Sequence, residues 1–530
     1  MLTGSIARLG TQYVIGLQAM NCSTGDVLAQ EQKQAEGKEA VLNALDTAAV
    51  SLRRKLGESL NTVQKYATPL SEATTPSLEA LKAYSLGLKT GSAKGDTAAL
   101  PFLKRAIELD PNFAFAYLGL STCYFNLNEA DRAAEYARKA YELREKTSER
   151  ERFRIDALYY LGATGELEKA AQTYELLQQT YPRDPAAYVD LGVISGQLGN
   201  WEKALAEFRD ALEMEPDNEV NYGNLGSSYS ALGRVDETEA VYKQAEDRKL
   251  EGEVLLESRY LLAFLKGNVT QMERFASGAM GKPGAEDLLL AMQADTQAWN
   301  GKLKNARELT RRAMDSAQHN DAKETAAFYQ AEAALREVEW GNREQARAEA
   351  NAAMKLVPNR DVRVMAGLAL ARAGDTAATE KLADELDKAF PLGTLVQRYW
   401  LPSIRAAAAL ERKDPNRAIE LLNEATTIEL GSPNSFVFLA PAYVRGEAYL
   451  ALSDGQRAAI ELRKFIDHRG IVGNFPWGAL ARLGLARSYA MQGDAAKARA
   501  AYQDFIMLWK DADSDIPILK QAKAEYAKLQ

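Results

Sequence analysis

Histidine and cysteine are nearly absent from this chain of 530 residues, and that scarcity removes whole classes of chemistry. The two cysteines, Cys22 and Cys123, lie far apart in sequence, which excludes a disulfide framework and any cysteine-based zinc module. His319 and His468 each stand without a second His or Cys nearby, so both read as surface or helix-capping residues. No metal and no cofactor is expected. No stretch approaches the roughly 18 apolar residues that span a bilayer. Met1 to Ser5 carry no charged n-region and lead into no apolar core, so no signal peptide is visible and the chain as written is expected in the cytoplasm. An upstream membrane span missing from this sequence would make the location extracytoplasmic instead. Charge of one sign is also scarce. The 73 acids against 65 bases leave −8, mild and of the wrong sign for a phosphate backbone, so nucleic acid is not an expected partner.

Catalytic signatures are missing as well. Gly281-Lys282 sits in a glycine-rich stretch, but Pro283 follows where a phosphate-binding loop needs Ser or Thr. His468-Arg469-Gly470 superficially matches a kinase catalytic loop, yet Gly470 replaces the base Asp and Phe475 stands where Asn is required. Paired carboxylates, as at Glu349 or Asp384-Glu385, read as a solvated helix face. A Ser-His-Asp or Cys-His set could still meet in space, but helices of an extended array rarely converge on a point. No catalytic residue is assigned, and the chain reads as a non-enzyme.

What the chain does have is a period. From Pro185, Tyr188, Leu191, Gly192, Gly199, Ala204, Phe208, Ala211 and Pro216 fall at fixed offsets, and the stretch from Glu219 repeats them with Tyr222, Leu225, Gly226, Gly233, Tyr242 and Ala245. Units in the same register start at Glu151, Glu253 and Asp287. Looser ones start at Ala80 and Ala114 before them, and near Ala327, Arg360, Tyr399, Leu439 and Ala479 after them. Self-similarity at this spacing marks a repeat architecture in which stacked neighbours close one continuous core. Each unit reads as two helices, A and B. Small residues such as Gly192 and Ala204 let them cross closely while Tyr188, Leu191 and Phe208 fill the surroundings. Gly199 sits where the chain reverses, and Pro216 ends helix B.

This pattern resembles the tetratricopeptide repeat, from about Ala80 to Lys510. The resemblance implies an all-α fold, an α-α superhelix of about twelve helix pairs over 80–512, closed by a capping helix at 513–530 with Lys520, Lys523, Glu525 and Lys528 outward. In that family, positions 2, 5, 9, 12 and 13 of the A helices line a concave groove. Carried onto this sequence, those positions include Phe115, Leu118, Asn126, Ser227, Ser230, Trp299, Trp400, Tyr443, Glu447 and Arg487. The variant that clamps a C-terminal carboxylate needs Lys and Asn where this chain has Val189 and Val193, so apolar and mixed polar lining points to a peptide or amphipathic helix.

Residues 1–57 read differently. Three short runs separated by Gly10-Thr11 and Ser23-Thr24-Gly25-Asp26 predict a three-stranded meander, and Val41 to Leu56 carry apolar residues at helical spacing. That is thin for a free-standing core, and it is read as the second half of an α/β domain whose first half is absent from this chain. The linker is expected at 58–79, marked by Pro69 and Pro76. Thr24 to Ala29, Ala73 to Leu81 and Ile516 to Lys520 resemble the TolB- or FlgO-like segment and repeats of acidobacterial-type Ser/Thr kinases. The leading expectation is therefore a protein-binding scaffold in bacterial signalling. The alternative is the regulatory or sensory C-terminal region of a Ser/Thr kinase whose catalytic domain is absent, with a kinase as its partner in trans. A third reading is an assembly factor unrelated to signalling.

Overall fold

The computed structural model describes residues 1–59, 75–433 and 437–529. Most of the expected linker, residues 60–74, lies outside the described residues. Two compact units are present: Met1–Cys123 with Ala133–Tyr159, and Tyr124–Arg132 with Tyr160–Gln530.

In the first unit, β1 (Leu2–Leu9), β2 (Gln12–Met20) and β3 (Val27–Glu36) form an antiparallel sheet in that order, as the turn residues predict. Gly10 and Gly25 turn the chain with φ of +64° and +77°. Strand alternation puts Ile15, Leu17 and Ala19 on one face. The amphipathic helix α1 (Val41–Lys55) packs Ala48 and Leu52 against Leu17, Ala19 and Ala29. Its reach stops at β2 and β3, so Leu2 and Ile6 of β1 remain exposed. The helix Leu78–Lys94 follows, with the Ser77 hydroxyl capping the Ala80 N–H, and with its neighbour Asp96–Leu109 it opens the helical array.

The second unit is a run of helix pairs with the fold expected of the repeat. In the pair Pro185–Gln197 and Trp201–Met214, a Cβ on Gly192 would lie 2.6 Å from the Phe208 ring, so the aromatic of helix B sits directly on the glycine of helix A. The next pair, Glu219–Ala231 and Val235–Asp247, repeats the device with Gly226 and Tyr242. Tyr188 donates to the Pro182 carbonyl and Tyr222 to the Pro216 carbonyl, both at 3.0 Å, which ties each A helix to the turn before it. Asp184 and Asn218 cap the two A helices through side-chain oxygens. The unit from Arg360, one of the looser ones in the sequence, forms both of its helices, Arg360–Arg372 and Thr376–Ala389.

Later units depart from the period. The A helix expected from Tyr399 begins earlier, with a π-helical turn Val396–Trp400 leading into Leu401–Glu411. Its partner Pro415–Leu421 is short and gives way to a 3-10 turn at Glu424–Thr427. The Arg469–Val472 turn is inserted between the pair Ala440–Ala451 and Gly455–Asp467 and the pair Trp477–Met491 and Ala495–Leu508. The final helix, Pro517–Ala527, keeps Lys520, Lys523 and Lys528 exposed. Glu525 is a correction to the sequence reading, because it turns inward to pair with Arg487.

The departures serve contacts between residues far apart in sequence, 229 positions in the case of Trp201 and Leu430. The Leu167 N–H donates to the Thr394 hydroxyl, the Trp201 indole to the Leu430 carbonyl, and the Trp509 indole to the Trp299 carbonyl. The Gly470 backbone lies against the Ser230 carbonyl so closely that no Cβ would fit, and Arg469 donates to the Leu265 carbonyl. The kinase-like tripeptide is thus a docking turn. At another such contact, Glu324 accepts from the N–H groups of Asp131 and Arg132, while Glu129 accepts from the N–H and hydroxyl of Thr325. Two helix N-termini, each a positive dipole end, exchange glutamates as caps.

Candidate functional site

The ten positions taken from the groove pattern separate by burial. Trp299 and Trp400 are interior residues: Trp299 meets Phe264 edge-on at 5.1 Å and backs against Gly478, and Trp400 packs edge-on against Tyr399 at 4.7 Å. Leu118 is buried in the first unit, where half-buried Phe115 lies under the Arg154 guanidinium at 5.0 Å. Asn126 and Ser227 are exposed, and Ser230 is half-buried with its carbonyl against Gly470. Of these, Trp299 is covered by a later segment of the chain, at Gly478.

Tyr443, Glu447 and Arg487, in contrast, come together. They lie on the consecutive A helices Ala440–Ala451 and Trp477–Met491. Tyr443 is buried, stacked on Trp477 at 4.6 Å and 14°, and its hydroxyl donates to Glu339 at 3.3 Å. Behind Glu447 stands Arg372, which grips Glu339 through Nε and Nη2 and Glu447 through Nη1 at 2.5 Å and Nη2 at 3.1 Å. Burial works against the Arg372 charge, but the Glu339 and Glu447 carboxylates outweigh it and hold its pKa well above the ordinary value. Burial, then the same two carboxylates, push the Tyr443 phenol well up, so it stays a neutral donor.

Arg487 forms a second forked pair, with Nε 2.9 Å and Nη2 3.1 Å from the two Glu525 oxygens. Burial opposes its charge too, and the Glu525 bond overcomes that and raises its pKa. Tyr502, on helix Ala495–Leu508, donates to Glu525 at 2.9 Å, and its own pKa is raised by burial and by that carboxylate. Between the two pairs opens a cleft of about 630 Å³ lined by Glu447, Leu450, Arg487, Ala490, Met491, Tyr502, Gln521 and Glu525. Glu447 and Arg487 hold position 9 of their units, Leu450 and Ala490 position 12, and Met491 position 13. The cleft floor is therefore made of groove positions from two consecutive repeats, closed on one side by the terminal helix.

Arg372, Glu339, Tyr502 and Glu525 were not visible as site residues in the sequence. Glu525 read as an outward residue of the capping helix, and no spacing or motif singled out Arg372, Glu339 or Tyr502 as site residues. The signal for Leu450 and Met491 was present, since both fall on groove positions. Among the described residues no cluster of His, Cys, Asp and Glu is arranged to hold a metal, and no helix is long and apolar enough to cross a membrane.

The tetratricopeptide repeat profile matches residues 97–147, 156–219, 189–252 and 443–515, the last spanning both repeats of the cleft. None of the curated protein sequences compared with this chain matches it. Among solved structures, the Cut9–Hcn1 hetero-tetramer of the APC/C aligns over 91% of this chain and 94% of its own at 14% identity and a TM-score of 0.40. Yeast Tom70 aligns over 79% and 96%, at 14% identity and 0.33. Human IFIT1, solved as a dimer with PPP-AAAA, aligns over 81% and 91%, at 15% identity and 0.35. With the period in the sequence, the glycine-on-aromatic crossings at Gly192 and Gly226 and these profile matches in agreement, residues 97–147, 156–252 and 443–515 of this chain carry tetratricopeptide repeats.

Proposed function

We propose that this chain is a non-catalytic scaffold that holds a segment of another protein in the cleft between Glu447, Met491 and Glu525. The observation that carries the reading is the cleft itself. It is open, it is built on groove positions of two consecutive repeats, and it offers Leu450 and the 45% exposed Met491 beside ordered charged pairs. A setting in bacterial signalling, beside a Ser/Thr kinase, is the finer part of the proposal and rests on the likeness of the flanking sequence segments alone.

Selection of peptides from a phage-displayed library of random dodecapeptides tests the reading. Peptides should be retained by the wild-type chain and lost when Met491→Trp fills the cleft, with the helical circular-dichroism signal unchanged. Enrichment of the same peptides on both chains, or of none on either, would remove this cleft as the docking site.

A further inference from the structure

We infer that the joint between Leu127–Arg132 and Asp321–Thr325 is a clasp operated by pH, closed while Glu129 carries a proton and released when Glu129 is ionised. Several helices of the second unit borrow their N-terminal caps from residues far along the chain. The Leu167 N–H donates to the Thr394 hydroxyl at 3.2 Å, and the Lys304 N–H to the Asp513 carboxylate at 2.9 Å. Both of those joints are also tied main chain to main chain, by the Thr394 N–H on the Gly165 carbonyl and the Asp513 N–H on the Gly301 carbonyl. The joint at Glu129 is built differently. Every hydrogen bond described across it uses a side chain. Glu324 accepts from the N–H groups of Asp131 and Arg132, Arg132 donates to Asp321, and Thr325 meets Glu129 and Leu127. Its closure therefore depends on the charge state of its carboxyl groups.

The two carboxyl groups are not alike. Glu324 accepts three N–H bonds, from Asp131, Arg132 and the Asn359 amide, which favour its charged form against burial. Glu129 is buried, accepts one N–H bond, from Thr325 at 3.2 Å, and leaves Oε2 with no hydrogen-bond partner. The Thr325 hydroxyl has a single proton and two oxygens in reach, the Leu127 carbonyl at 2.9 Å and Glu129 Oε1 at 3.1 Å. An ionised Glu129 competes with the carbonyl for that proton. A protonated Glu129 donates to the hydroxyl, the hydroxyl donates to Leu127, and the competition ends. The cation facing Oε2, Arg132 at 3.5 Å, is held by the Asp321 carboxylate and carbonyl and lies over the Tyr124 ring. Arg360 is paired with Asp361, and Lys323 is exposed. Loss of the proton thus leaves a buried charge beside that of Glu324, and parting the two segments returns it to water. In the closed joint the Glu129 carboxyl is pushed up to about 7 by burial and by Glu324, and in the released one it has its ordinary value of about 4.3. The clasp is therefore fully closed below the lower value and is lost as pH rises through the upper one.

Amide hydrogen exchange of the full chain, read by mass spectrometry and corrected for the intrinsic pH dependence of exchange, follows the joint locally. Protection of the Asp131, Arg132 and Thr325 amides should fall by more than about tenfold between about pH 5 and pH 7.5, while Leu167 and Lys304 keep theirs. Glu129→Gln, whose amide donates to the Thr325 hydroxyl at every pH, should hold protection at the joint constant over the same range. Equal loss at the joint and at Leu167 and Lys304 would mean that the array loosens as a whole, and overturns a local clasp. Unchanged protection at the joint in the wild-type chain overturns it as well, and so does the same loss in Glu129→Gln. The wild-type profile decides the first two outcomes without any variant.

Discussion

In the helix pairs from Pro185 and Glu219 the same residue types meet twice in the same way, glycine under an aromatic ring and tyrosine hydroxyl on a proline carbonyl. In the pairs from Ala440 and Trp477 the crossing rule persists at Gly446, where a Cβ would lie 3.0 Å from Leu462, but the polar contacts follow no period. Tyr242 and Tyr502 hold the same position in their repeats. The first is buried among its neighbours with its phenol pushed up to about 12, chiefly by burial, while the second sends its hydroxyl to Glu525 on a helix outside the repeat. Regular packing thus repeats with the period, whereas the cleft adds side chains from outside it, Glu525 on the terminal helix and, behind Glu447, Arg372 and Glu339.

The sharpest way to break the contrast is at Arg372. Arg372→Met leaves Glu339, nearly fully buried, facing Glu447 without the cation between them. Breaking a buried pair from one side costs about 3–5 kcal/mol, measurable by denaturant unfolding. A loss below about 1 kcal/mol would mean the network gives the cleft no rigidity.

The glutamates exchanged between helix ends give an effect of intermediate size. Burial, and then the Glu324 charge, push Glu129 up to about 7, against about 4.3 in an unfolded chain. Arg132, 3.5 Å away, and the Thr325 N–H and hydroxyl pull the other way. Between those pH values the folded chain holds a proton that the unfolded chain releases. The contribution of this group is therefore present in full below the unfolded value and is lost as pH rises through about 7. Glu129→Gln should flatten the decline in stability over that window by about 3 kcal/mol, read from unfolding curves of both chains across pH. Parallel pH profiles would show that Glu129 is not held in its neutral form.

In the regular region the expected change is smaller. Ala204→Leu overpacks the crossing of Pro185–Gln197 with Trp201–Met214, where Ala204 has no exposed surface, and should cost about 1–3 kcal/mol. Unchanged thermal stability would count against the assigned register.

Much of the fold could be read before any coordinates, because each repeat closes on its sequence neighbours. Gly192, Phe208, Tyr188 and Gly199 announce their contacts by spacing alone, and the meander of β1 to β3 is marked by its turn residues. Even Arg360 to Ala389, where most of the signature residues are missing, keeps enough helical pattern to form its pair. The site was legible only in part. Position 9 pointed to Glu447 and Arg487, and position 5 to Tyr443. The same rule also pointed to Trp299 and Trp400, which the structure buries.

By itself, then, the order of residues determined the helix pairs and their register, since a period of small and bulky side chains allows one close crossing per unit. The tertiary structure alone decided which groove positions stay open. Burial of Trp299 against Gly478, the Trp509 indole on the Trp299 carbonyl, and the pairing of Glu525 with Arg487 join segments that no local pattern links. Long-range contact is a property of how the helices stack, and it covers Trp299 while leaving Met491 exposed.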